Sequence, residues 1–306
     1  MASLPHIVAY LAVGVFLLAV AARVIMWLRM PMHLRWELYP VAHEASRAHY
    51  GGSYLEESEW WKKPRENSLV GELKVMVPEI LFLVALKEHN PRLWARSFPF
   101  HFGLYLVIAC TVLMGVAGVG ALIVPGLLGG VLGDLLRYAI IGTGWAGLGL
   151  SLLGGLGLLQ RRLSDPELQD FTTPADILNL LLFVVAFGVA LAHAVVLDPA
   201  FTLTTAFVAS LVGVSVGQAP QTFTTVTVVL LGLLVAYIPL THMSHFVGKY
   251  FAYHAIRWND TPNLRGGNQE ATIGRLLNQP LTWSAPHIQG NGTKTWAQAA
   301  TEEMKK

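Results

Sequence analysis

Two histidines near the end of the last apolar run have the residue type and spacing that point most directly to chemistry. The run covers residues 222–250, and His242 and His245 lie one helical turn apart just before Lys249. An imidazole inside a membrane-spanning segment is energetically costly and needs a compensating interaction. Because neutral imidazole nitrogen is a common ligand of metals and of haem iron, the pattern predicts a metal or haem ligand here.

The composition is that of a membrane protein. Hydrophobic residues make up 54% of the 306 residues and charged residues only 13%, against about 25% charged in soluble globular proteins. The net charge of +2 is too small to indicate nucleic-acid binding. Cys110 is the only cysteine, which excludes disulfides, iron–sulfur clusters, CxxCH haem attachment and multi-cysteine zinc within this chain. A redox cofactor must therefore be held by histidine.

Five apolar segments are long enough to cross a bilayer, so the sequence predicts an all-α integral membrane protein built as a five-helix bundle. The predicted spans are residues 7–28, 99–118, 135–159, 176–197 and 222–250. Glycines in the third span permit close approach of a helix or a cofactor, and TTPAD predicts the N-terminal cap of the fourth. Residues 75–86, interrupted by Pro78 and Glu79, predict a short helix along the membrane interface.

Lys and Arg indicate the orientation of the bundle. The loop from Arg29 to Arg96 carries ten, the Arg161–Arg162 turn two, and the segment from Lys249 onward seven, whereas the two remaining connections carry none. The positive-inside rule then predicts the N-terminus outside and the C-terminus in the cytoplasm, in a cytoplasmic (inner) membrane.

Under that topology two histidines lie at equal depth. His101 follows Arg96 by five residues and His245 precedes Lys249 by four, which puts both about 6 to 8 Å below the same boundary at 1.5 Å per helical residue. Two level histidines on facing helices predict a b-type haem with one imidazole on each face. The alternative is that each imidazole hydrogen bonds to a backbone carbonyl or a lipid headgroup.

Three further histidines have more than one interpretation. His242 lies about one turn deeper than His245. It is predicted to be the alternative ligand, a hydrogen-bonding neighbour of the ligand, or a quinone contact. His193 and His6 are level near the outer boundary and predict a second haem or a quinone site, or else a packed imidazole and a frayed terminal residue. The remaining histidines are predicted to be solvated in cytoplasmic segments: His33, His43, His49, His89, His254 and His287.

The segments FPFHFGLYL, RRLSDPELQDFTTPADILNLLL and LVAYIPLTHMSHF resemble the cytochrome b subunit family typified by the gamma subunit of respiratory nitrate reductase. Tail segments such as KYFAYHAIRWNDTPNLRGG resemble the branch found in membrane redox complexes of sulfate reducers and other anaerobes. The resemblance covers about residues 98–301 and implies haem b on His101 and His245. Family members hold a second haem with histidines at positions that are Thr111 and Thr227 here.

The resemblance also implies a function. It predicts a quinone-reactive cytochrome b that exchanges electrons between menaquinone, or another quinone, and a cytoplasmic iron–sulfur subunit resembling heterodisulfide reductase. The sequence then divides into a first transmembrane helix (1–29), a cytoplasmic loop with an interfacial helix (30–96), a four-helix haem-binding core (97–250) and a docking tail (251–306). The alternative is a non-redox membrane anchor or small transporter with structural histidines.

Aromatic and basic residues of the loop and the tail are predicted to form the partner interface. The alternative is an aromatic belt with basic anchors at lipid headgroups. The residues concerned are Trp60, Trp61, Lys62, Lys63, Arg65, Trp283 and Trp296.

Overall fold

The computed structural model describes residues 4–30, 41–44, 52–65, 68–124, 126, 128–213, 220–285, 288 and 290–302. Within these ranges the regular structure is helical, apart from isolated bridges between Pro280 and Thr295 and between Ala285 and Ile288. The α-helices are α1 (Leu4–Leu28), α2 (Leu69–Phe82), α3 (Val84–His89), α4 (Pro91–Ile123), α5 (Val131–Ser164), α6 (Pro166–Gln169), α7 (Pro174–Val196), α8 (Thr202–Val212), α9 (Thr222–Tyr237), α10 (His245–Phe251), α11 (Asn268–Leu277) and α12 (Trp296–Thr301).

Five of the described helical segments are long and apolar enough to cross a membrane. They are α1, α4, α5, α7 and Thr222–Leu240, which contains α9. Apolar side chains on their outer faces are open, as with Val131 at 77% exposure, which suits contact with lipid. The prediction of an all-α, multi-pass membrane protein with five spans is confirmed.

The chain divides into two compact units, Met1–Ala22 with Leu73–Ser244 and Arg23–Glu72 with His245–Lys306. In the first unit α4 packs on α5, α5 on α7, α7 on α9, and α8 on α4. The core of this unit includes Phe100, Met114 and Phe187. These contacts fix the helices that carry His101 and His193.

The predicted N-terminal cap of the fourth span is confirmed. Thr173 precedes α7, and its hydroxyl accepts a hydrogen bond from the Asp176 backbone N–H. The Asp176 carboxylate accepts from the Thr173 N–H at 3.0 Å in return, which completes a capping box.

A short helix, α8, lies in the connection between the fourth and fifth spans, where the sequence predicts no membrane-spanning helix. Asp198, 1% exposed, organises its first turn by accepting bonds from the N–H groups of Leu203 and Thr204. Burial acts to raise the pKa of Asp198, but these bonds and those from the Thr202 and Thr204 hydroxyls outweigh burial and hold the pKa below its usual value. At 11 residues α8 is too short to span a bilayer.

The helix predicted for residues 75–86 is present but broken, and its position at the membrane interface stays a prediction. Pro78 lies inside α2, and Leu83 adopts a positive φ of 53° between α2 and α3. The Leu83 conformation, rare for a residue with a branched side chain, ends one helix and allows the next to start in a new direction.

The second unit combines residues of the loop after α1 with residues of the tail. Its buried apolar residues include Val41, Tyr54, Tyr253, Trp258 and Leu281. Short 3₁₀ turns at Ala42–Glu44, Tyr54–Glu56 and Trp60–Lys62 shape the loop, and a π-helical turn, Ala252–Arg257, continues α10. Loop and tail are therefore parts of one folded body.

Candidate cofactor site

His101 lies in the first half of α4 with its ring orientation fixed. Its Nδ1 is 2.8 Å from the carbonyl oxygen of Ser97. A carbonyl can only accept, so Nδ1 carries the proton and Nε2 carries the lone pair. Phe100 meets the imidazole edge-on at a centroid distance of 5.4 Å. This is the tautomer and support that a metal-binding imidazole requires.

The glycine-rich face of α5 brings α4 close to α5. A Cβ added at Gly154 would lie 2.7 Å from Phe100 Cα, and one added at Gly147 would lie 2.8 Å from the Val107 nitrogen. Across the same contact, Ser151 Oγ is buried without a hydrogen-bond partner among the described residues. The sequence predicts that these glycines allow close approach of either a helix or a cofactor. At the contact with α4 they allow close approach of a helix, because no space for a cofactor remains between the two backbones.

His242 and His245 lie beyond a break in the last apolar run. After α9 the chain forms a 3₁₀ turn at Ile238–Leu240 that contains Pro239, then an extended residue, Thr241, at φ −111° and ψ −175°. Proline lacks the N–H that a continuing helix needs. His242 opens a second 3₁₀ turn and His245 opens α10, and both are exposed.

The prediction of one continuous helix over residues 222–250 is therefore wrong. The depth estimate for His245 assumed 1.5 Å per residue along an unbroken helix and does not apply across Thr241. His101 and His242 belong to the first unit, and His245 begins the second segment of the other unit. The pairing of His101 with His245 stays a prediction.

His193 and His6 each hydrogen bond to a hydroxyl of a neighbouring helix. His193, 3% exposed, places Nε2 at 2.9 Å from Thr224 Oγ1 of α9. His6, equally buried, places Nε2 at 2.9 Å from Ser210 Oγ of α8. Both rings also contact a phenylalanine, Phe223 and Phe207 respectively. Each imidazole thus joins two helices of the first unit.

Thr111 and Thr227, at the positions where the resembled family has histidines, bond within their own helices. The Thr111 hydroxyl donates to the Val107 carbonyl and the Thr227 hydroxyl to the Phe223 carbonyl, both at 2.9 Å. Neither arrangement presents a metal ligand.

Several residues outside the predicted site proved to be structured. The prediction that His43 is solvated is wrong, since it is 6% exposed and 2.8 Å from Asp260. His89 is exposed as predicted and His254 is partly buried, whereas His33, His49 and His287 lie outside the described residues. No local sequence signal marks His43, because its partner lies 217 residues away.

Four of the seven predicted docking residues line a cavity in the second unit, whereas Lys62 does not, and Trp283 and Trp296 instead contact each other at a ring-centroid distance of 5.9 Å. Trp60, Trp61, Pro64 and Pro262 line a space of about 330 Å³, together with Lys63 and Arg65. The basic side chains are not isolated charges: Lys62 pairs with Glu59, Lys63 with Glu57, and Arg65 with Asp260. The surface is therefore aromatic and proline-rich more than it is positively charged.

Among the residues described, no group of three or more His, Cys, Asp or Glu side chains is placed to hold a metal ion by itself. Comparisons of the chain with protein-family models, with curated proteins and with solved structures found no match.

Proposed function

We propose that this chain is the membrane-embedded b-type cytochrome subunit of a respiratory oxidoreductase, exchanging electrons between the quinone pool and a cytoplasmic iron–sulfur subunit. The observation that carries the proposal is the His101 imidazole, which lies in a membrane-spanning helix with Nδ1–H bound to the Ser97 carbonyl. Because that bond uses the proton of Nδ1, we propose Nε2 as the nitrogen that would coordinate the haem iron. Haem bound there would supply one-electron transfer.

The proposed second ligand is His245, with His242 as the alternative. Both follow the break at Pro239, where the chain leaves regular α-helix and an imidazole is not limited to the directions of helical side chains. The choice between them follows the family resemblance, which aligns His245 with the ligand.

The proposal contains one haem rather than two. His193 and His6 already bond through Nε2 to Thr224 and Ser210, so a second haem on this pair would have to displace two buried hydrogen bonds. Quinone remains the proposed electron partner within the membrane, which we take to be the cytoplasmic membrane with the C-terminus inside.

The proposed docking surface for the iron–sulfur subunit is the cavity formed by Trp60, Trp61, Pro64 and Pro262. The exposed Trp61 beside the partly buried Trp60 suits the core of a protein interface, and paired lysines and arginines suit its rim. Because the local charges are already neutralised by Glu57, Glu59 and Asp260, we expect docking to depend on these apolar rings more than on salt concentration.

The experiment is a visible spectrum of the purified protein and of single-histidine variants. The wild type should show a dithionite-reducible b-type spectrum with one haem per chain. His101→Ala and His245→Ala should each lose most of the haem, whereas His89→Ala, which alters an exposed histidine of α3, should keep it. A folded but colourless wild type would favour the anchor or transporter interpretation and overturn the proposal.

A further inference from the structure

A cluster of four titratable side chains lies in the second unit, and the proposed electron transfer does not use it. We call His43, Glu72, His254 and Asp260 the acid–base cluster; their side chains are 7, 16, 28 and 8% exposed. The residues come from the loop, the start of α2, the π-helical turn and the tail. Partly buried polar groups need hydrogen-bond partners, and these four side chains can provide them for one another.

The ring of His254 has a fixed tautomer. Its Nδ1 lies 3.0 Å from the Tyr250 carbonyl oxygen, which only accepts, so Nδ1 must carry a proton. Tyr250 also stacks on this ring at 4.1 Å and Trp258 meets it edge-on at 5.6 Å. The other nitrogen, Nε2, lies 3.5 Å from Glu72 Oε2. In a neutral imidazole this nitrogen is an acceptor, and it faces a second acceptor.

The ring of His43 also has a fixed tautomer. Its Nε2 is 2.8 Å from Asp260 Oδ2. Burial acts to raise the pKa of Asp260, but hydrogen bonds from His43 and Tyr54 and the charges of His43 and Arg65 outweigh it, so the pKa is lowered and the group is an ionised acceptor. His43 Nε2 therefore carries a proton, and Nδ1, which then holds the lone pair, lies 3.9 Å from Glu72 Oε1.

Two imidazole lone pairs thus face the two oxygens of one carboxylate. We infer that the acid–base cluster binds one proton, shared between Glu72, His254 and His43, and that this proton fastens the loop to the tail. With the proton in place, a charge-assisted hydrogen bond replaces the contact between two acceptors. Within the described part of the chain, Arg65 and Tyr54 also contact the cluster, both through Asp260.

The shared proton makes the contact between the loop and the tail depend on pH in one direction. The closed arrangement binds a proton that the opened loop and tail release, so closure is favoured at lower pH and weakens as the pH rises. Once the proton is lost from both forms, the response ends. Where the closed form holds the proton and the opened form does not, the opening equilibrium changes by up to about tenfold per pH unit.

Amide hydrogen exchange of the full-length protein in detergent tests this response, with rates corrected for intrinsic exchange at each pH. In the wild type, exchange at residues 52–65 and 252–262 should increase by about tenfold or more from pH 6 to pH 8.5. Glu72→Gln should abolish the response, because an amide N–H can donate to an imidazole nitrogen at every pH. Glu56→Gln, the same change at an exposed site of the same unit, should respond as the wild type does.

A second variant keeps the test decisive if Glu72→Gln does not fold. His254→Gln gives Glu72 a permanent amide donor and should also lose most of the pH response. A wild type with pH-independent exchange would overturn the inference. So would stoichiometric binding of added Zn²⁺ that is lost in Glu72→Gln, since the cluster would then hold a metal ion in place of the proton.

Discussion

Asp260 links several distant partners in the second unit. Its carboxylate accepts hydrogen bonds from His43, Tyr54 and Arg65. Because these bonds hold the pKa of Asp260 below its usual value, its contribution to stability is present above about pH 4 and is lost as the pH falls through the lowered value. This acid-side response is opposite in sign to that of the proposed shared proton.

Replacing Asp260 by Asn should therefore loosen the second unit at neutral pH. The amide keeps the shape but loses the charge, so the opening free energy of residues 52–65 should fall by about 1 to 3 kcal/mol. Hydrogen exchange of this segment measures the change, and Asp170→Asn, at an exposed position of the first unit, is the control. Unchanged exchange in Asp260→Asn would contradict a central role for this carboxylate.

His193 tests whether the outer histidines hold a cofactor or join helices. His193→Ala should leave the haem-to-protein ratio unchanged and lower the thermal unfolding midpoint, because it opens a cavity and leaves the Thr224 hydroxyl without its partner. Thr224→Val removes the same hydrogen bond without a cavity and should cause a smaller loss. A ratio that falls from two to one in His193→Ala would instead identify a second haem.

At the scale of elements, the contact between α4 and α5 decides where His101 lies. The glycines of α5 are not equivalent: an added Cβ at Gly154 meets the backbone of Phe100, whereas one at Gly149 has no atom within 4 Å. Phe100 directly precedes His101, so separating the helices at Gly154 would move the proposed ligand.

Gly154→Ala and Gly149→Ala should consequently differ in sign. Alanine at 149 should stabilise α5 by about 0.5 to 1 kcal/mol through its higher helix propensity. Alanine at 154 should destabilise the protein by about 1 to 3 kcal/mol through overpacking and should lower haem content. Thermal unfolding in detergent and the haem-to-protein ratio measure both effects, and equal stability of the two variants would show that α4 can shift without cost.

The last apolar run is an element that hydropathy alone predicts incorrectly. Residues 222–250 have an apolar composition that predicts one helix, yet Pro239 and the extended Thr241 divide it. The proline was visible in the sequence, but many membrane helices contain proline without breaking, as α4 does at Pro99. α8 was missed for a different reason, since its first turn depends on the buried Asp198 and not on its own amphipathic pattern.

At the scale of the whole molecule, the five spans could be predicted because length and apolar composition suffice to identify them. The second unit could not, because its contacts join residues about 200 positions apart, such as His43 with Asp260 and Arg65 with Thr261. Within the candidate site, the sequence identifies His101 as a possible ligand. Its tautomer could not be predicted, because the tautomer is fixed by the hydrogen bond to the Ser97 carbonyl that the structure shows.

Two truncations separate the tail's role in docking from its role in folding. Cutting after Asn259 removes Asp260 and with it the partner of His43, Tyr54 and Arg65, so residues 52–65 should exchange rapidly. Cutting after Gly267 keeps Asp260 and should preserve their protection. Both proteins should retain the haem bound by the proposed ligands, since neither cut reaches His101 or His245.

Co-purification of the proposed iron–sulfur subunit completes the comparison between the two truncations. The cut after Asn259 should release it, because the surface around Trp60 and Trp61 depends on the loop that Asp260 holds. The cut after Gly267 should release it only if α11, α12 or Trp283 contacts the partner directly. If the protein cut after Asn259 retained the subunit while residues 52–65 exchanged rapidly, the docking surface would lie elsewhere than at these tryptophans.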